Sequence, residues 1–117
     1  MSTSRANMGR AAVALGLIPV SAASAANRAN DYLLSVDPPT QATTLAGSVG
    51  ENCKGKTAFY MGIGKSGFSK DKAFWSLRCA DGREFMVQVN PDGTSNVMEC
   101  AVLKAVNAGT CFEKFKN

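Results

Sequence analysis

Between residues 73 and 100 apolar and polar positions alternate in three short runs, separated by Asp81-Gly82 and Asp92-Gly93. Glycine tolerates the positive φ of a tight turn, so Asp-Gly between alternating runs predicts hairpins. The stretch therefore predicts an antiparallel meander. In its first strand Trp75, Leu77 and Cys79 share one face, and Phe74, Ser76 and Arg78 the other. In the next, Phe85, Val87 and Val89 face the core, with Met86 and Gln88 opposite. The last run, 96–100, is short and predicts an edge strand.

Ahead of the meander, residues 57–64 predict a strand. Phe59, Met61 and Ile63 share one face, and Ala58, Tyr60 and Gly62 the other. Gly62 and Gly64 point to a bulge or a close backbone approach. The segment 64–72 reads as a flexible hairpin loop with its lysines in solvent. Upstream, the spacing of Ala42, Leu45, Ala46, Val49 and Cys53 predicts a helix over 39–52. Pro39 suits its first turn and Thr40 its cap. Gly47 and Gly50 each weaken it by about 1 kcal/mol. Residues 27–39 read as an extended arm, a strand or coil in which Tyr32, Leu33, Leu34 and Val36 cluster before Asp37-Pro38-Pro39. It either packs on the domain or docks a partner. After Cys100 the period lengthens, and 101–108 predicts a two-turn helix stopped by Gly109. Cys111 and Phe112 return to the core, and 113–117 reads as a charged, frayed end.

The expected fold class is α+β: a small antiparallel sheet of three to four strands, packed by an N-terminal helix and a short C-terminal helix. Its expected divisions are a signal peptide (1–26), the arm (27–39) and a disulfide-stapled domain (40–117). The strand–Asp-Gly–strand–Asp-Gly run resembles the last sheet portion of the PepSY family of exported bacterial domains. The likeness covers about a quarter of the chain, and no residue role is taken from it.

Residues 1–26 hold Arg5 and Arg10, then an uncharged apolar run from 11, then small residues with Ala23-Ser24-Ala25 at their centre. That is a secretory signal pattern, with cleavage expected after Ala25 or Ala26. The run falls short of the roughly 18 to 20 residues a membrane span needs and contains Gly16 and Pro19. A mitochondrial presequence is the alternative. Without Arg5 and Arg10 the formal charge of +4 falls to +2, from 11 basic and 9 acidic residues. So weak an excess argues against nucleic acid as a partner.

Histidine is absent. That excludes Ser-His and Cys-His catalytic pairs, histidine metal ligands and histidine-ligated haem. Gly64-Lys65-Ser66 lacks the earlier glycine of a phosphate loop, since position 59 is Phe59. Asp81, Glu84, Asp92 and Glu99 could supply a carboxylate pair, but Asp81 and Asp92 are explained as turn residues. No nucleophile–base pair can be named, so the expectation is a non-catalytic protein without cofactor.

Cys53, Cys79, Cys100 and Cys111 are even in number in a chain with an export pattern, which predicts two disulfides. A zinc knuckle needs two close cysteine pairs, and a redox pair needs Cys-x-x-Cys; both are missing. In a simple meander Cys79 and Cys100 lie about 9 to 10 Å apart, twice the strand spacing. Bridged Cα atoms lie within about 7 Å. Cys53 precedes the first strand and Cys79 ends the second, and in a hairpin those ends meet, so the expected pairing is Cys53–Cys79, leaving Cys100–Cys111. Together these features predict an exported domain, periplasmic or secreted, without a transmembrane span of its own. Its expected role is that of an accessory subunit or protein-interaction module of a cell-envelope complex. Tyr32, Leu33, Leu34 and Trp75 are the candidate partner-binding residues. The alternative is a small-ligand binder or small effector.

Overall fold

A computed structural model of the chain describes residues 26–116. The segment expected to be a signal peptide, 1–26, lies outside them except for Ala26. The order of elements is α1 (Arg28–Ser35), α2 (Pro38–Val49), β1 (Gly55–Ile63), a 3-10 turn (Gly67–Ser69), β2 (Ala73–Cys79), β3 (Glu84–Val89), β4 (Ser95–Glu99) and α3 (Cys100–Ala105).

The strands pair antiparallel in sequence order, β1-β2-β3-β4, as a meander should. Both Asp-Gly turns form. Gly82 and Gly93 hold φ of 94° and 90°, and Asp81 and Asp92 each accept the amide N–H two residues on at 3.0 Å. Leu77 lies opposite Phe85, Trp75 opposite Val87 and Ala73 opposite Val89. All six are buried, and five of them, Ala73, Trp75, Leu77, Val87 and Val89, form one cluster with Leu33 of α1 and Ala42, Leu45 and Ala46 of α2. Both expected disulfides form, with Cα separations of 5.3 Å for Cys53–Cys79 and 5.8 Å for Cys100–Cys111.

Four expectations need correction. Residues 28–35 form a helix rather than an extended arm. Asn27 caps it by accepting the Asn30 N–H at 3.0 Å, and Asn30 and Leu33 make its buried face. At eight residues, tertiary contact sustains it rather than propensity. Second, α2 starts at Pro38, and its cap is Asp37, which accepts the Thr40 N–H. The helix stops at Val49 because Gly50, Glu51 and Asn52 all turn to positive φ, so Cys53 leaves the helix face.

Third, β1 is bulged at Met61. Tyr60 lies opposite Trp75 while Gly62 lies opposite Phe74. One extra residue shifts the period, so Ile63 joins Ala58 and Tyr60 on the helix-covered face and parts from Phe59 and Met61. Gly62, at φ 143°, is the glycine that the bulge needs. Fourth, α3 ends at Ala105, and Asn107 rather than Gly109 takes the left-handed position that ends it.

The tail then crosses the second face of the sheet. The Phe112 N–H donates to Ser76 Oγ at 2.8 Å, and the Phe115 N–H to the Met61 carbonyl at 2.9 Å. The Phe115 ring lies 5.2 Å from that of Phe74. The end expected to fray thus covers apolar sheet surface through Phe115.

Candidate functional site

The loop joining β1 to β2 has the most exposed large apolar side chain among the described residues. Phe68 sits at its tip, 97% exposed. The loop is closed at its base rather than loose. Gly64 N–H donates to Lys72 O at 2.9 Å, and Asp71 N–H to Gly64 O at 3.0 Å. Within it, Lys72 N–H donates to Ser69 O and the Ser69 hydroxyl to Ser66 O. A Cβ on Gly64 would collide with the Ser69 carbonyl, so this approach requires glycine there. From the other side, buried Asn27 donates its Nδ2 to Asp71 O at 2.8 Å and to Val89 O at 2.9 Å. The tip is therefore carried on a fixed base, with Lys65 and Lys70 exposed beside it.

The four partner-binding candidates do not form one surface. Tyr32 and Leu34 are about half exposed, at 52% and 49%, on α1. Leu33 and Trp75 are buried in the core. Trp75 Nε1 donates to Asn30 Oδ1 at 2.8 Å, and Asn30 Nδ2 donates to the Tyr60 hydroxyl at 3.2 Å. The Tyr60 and Trp75 rings lie 4.9 Å apart. Both polar ends are satisfied inside, so Trp75 anchors the fold. Phe68 escaped the sequence reading. The available signal was a large aromatic amid Ser66, Gly67 and Ser69, residue types that build turns rather than cores.

A second feature is the groove between the tail and the second sheet face, of about 620 Å³. Met61, Phe74, Met86 and Leu103 contribute its apolar wall, and Lys65, Lys114 and Lys116 line it together with Glu113. Its size falls in the ordinary range for small-molecule sites.

The four carboxylates considered as a catalytic pair are scattered. The Thr94 hydroxyl, then its amide, hold the Asp92 carboxyl below the ordinary range. The Arg83 amide does the same for Asp81, helped by its guanidinium at 2.8 Å. Glu84 is held by Arg78, with Nε to Oε2 at 2.7 Å. Glu99 lies opposite Phe85, so Glu84 and Glu99 occupy opposite faces of the sheet. Among the described residues no cluster of cysteine and carboxylate side chains could hold a metal ion. No helix among them is long and apolar enough to cross a membrane.

The fold defines the class: a small α+β domain, a four-stranded antiparallel meander stapled by two disulfides. Comparison with known protein families, curated proteins and solved structures finds no match to this chain.

Proposed function

We propose that this protein is an exported, non-catalytic interaction module, an accessory subunit of a cell-envelope complex, that docks by inserting Phe68 into an apolar pocket of a partner protein. The observation that carries this reading is a 97% exposed phenylalanine on a loop pinned at its base. Exposing a phenylalanine forgoes about 1.5 to 3 kcal/mol of burial. A rigid loop recovers that energy on binding without a large ordering cost. Aromatic anchors seated in pockets dominate interface energetics. Lys65 and Lys70 beside the tip favour a partner whose pocket has an acidic rim. Two disulfides are compatible with an oxidising compartment.

The test compares wild-type and Phe68→Ala protein, recovered tagged from the native envelope in mild detergent. A partner that co-purifies stoichiometrically with wild type should be lost with Phe68→Ala and retained with Tyr32→Ala. The melting temperature should be the same in all three. Equal recovery with Phe68→Ala would refute the loop as the anchor.

The groove supports a second reading, a binder of small amphiphiles with an anionic end, since three lysines against one glutamate line it with the apolar side chains. Titration with laurate should then raise the melting temperature saturably, and Met86→Glu should abolish the rise.

A further inference from the structure

The buried cap at Asn27 bears on where the chain is cut. The small-residue rule allows cleavage after Ala25 or after Ala26, because both place small residues at the two positions the peptidase reads. The fold separates them. Asn27 is 2% exposed, and its side chain makes three hydrogen bonds: from the Asn30 N–H, and to Asp71 O and Val89 O. Its carbonyl accepts the Asp31 N–H at 3.0 Å. Cleavage after Ala26 would place an ammonium on this buried residue, at the positive end of α1, where a cation is unfavourable. Cleavage after Ala25 leaves the cap intact and puts the charge on Ala26, which is exposed.

A second, independent observation lies one turn into the helix. Among the described residues, Asp31 Oδ2 is buried without a hydrogen-bond partner. Helical side chains lean toward the N-terminus, so this carboxylate overhangs the turn where the chain enters α1. Buried charged oxygens are normally partnered. We propose that the chain is cut between Ala25 and Ala26, and that the α-ammonium created on Ala26 is the partner of Asp31. In the cut, water adds across the Ala25–Ala26 amide. The C–N bond breaks, hydroxyl goes to the Ala25 carbonyl carbon, and the proton goes to the Ala26 nitrogen, which is protonated at neutral pH. Processing thereby gives Asp31 a cationic partner. This inference rests on the export reading.

The first measurement is the intact mass of the full chain after expression with its own leader in an exporting bacterial host. The expected mass is that of a chain beginning at Ala26 with both disulfides formed. A chain beginning at Asn27 overturns the inference and leaves export standing. Uncut protein retained in the cytosol overturns export itself. The second measurement addresses Asp31. Asp31→Asn should lower the melting temperature of the exported chain by about 4 °C. The same substitution should have little effect in a chain with Gly-Ser-Gly inserted between Ala25 and Ala26, whose ammonium lies three residues farther away. Equal losses in both chains would give Asp31 a role independent of the new terminus.

Discussion

Asn30 joins three elements through one side chain. Its Oδ1 takes the Trp75 Nε1–H from β2, its Nδ2 reaches the Tyr60 hydroxyl of β1, and its own N–H is taken by Asn27. Asn30→Ala leaves the buried indole N–H without an acceptor, and an unsatisfied buried donor costs about 1 to 3 kcal/mol. Urea unfolding should show that loss with an unchanged slope, while Asn96→Ala on the exposed edge strand changes little. At the surface, Asp37, Asp81 and Asp92 titrate below the ordinary aspartate value, held by Thr40, Arg83 and Thr94 respectively. A lowered folded pKa stabilises above the unfolded value of about 3.9, and that stability is lost as pH falls through the folded value. The melting temperature should therefore drop on acidification below about pH 4. Asp37→Asn keeps the cap oxygen but removes the titrating charge, so its acid limb should be shallower. The turn roles of Asp81 and Asp92 were legible from Asp-Gly alone, because turn chemistry is local. Asn27 and Asn30 gave no signal, because a short polar side chain reads as surface until its distant partners are known.

Among the elements, β1 shows how one residue redirects a strand. Strict alternation puts Ile63 with Phe59 and Met61; the bulge at Met61 returns it to the helix side. Gly62 permits the bulge at φ 143°, and a Cβ there would stand 2.9 Å from the Phe115 ring. Gly62→Ala should destabilise by about 1 to 3 kcal/mol through backbone strain and crowding. Heteronuclear NMR should show the Phe115 amide losing its hydrogen-exchange protection, because its bond to the Met61 carbonyl is displaced. The sequence signalled a bulge through its glycines but not its position, because register depends on what the neighbouring strand offers. The helical state of α1 is hidden in the sequence for a related reason. Three adjacent apolar residues, 32–34, suggest a cluster, whereas the element uses Leu33 inward and leaves Tyr32 and Leu34 half exposed.

At the scale of the molecule, the sheet is covered on both faces, by α1 and α2 on one and by α3 with the tail on the other. Each disulfide serves one side of this arrangement. Cys53–Cys79 spans 26 residues and ties the α2–β1 connection to the buried end of β2. Cys100–Cys111 spans 11 and ties the tail to the start of α3. Loop-closure entropy alone assigns about 3.5 kcal/mol to the longer loop and about 2.8 kcal/mol to the shorter. Replacing both cysteines of a pair by serine should therefore cost more at Cys53 and Cys79. The Cys100→Ser, Cys111→Ser protein should keep its far-UV circular dichroism but expose the second face, read as increased binding of a hydrophobic dye. The sequence by itself determined the meander, its two turns, the choice of cysteine pairs and the helical face of α2. Each depends on short-range chemistry or on strand spacing that any antiparallel sheet shares. Only the tertiary structure decided that Trp75 and Leu33 lie inside, that the charged end seats Phe115 on the sheet, and that Phe68 stands in solvent. Those outcomes depend on which surfaces meet across the fold, and an apolar residue carries the same signature whether its partner is its own core or another molecule.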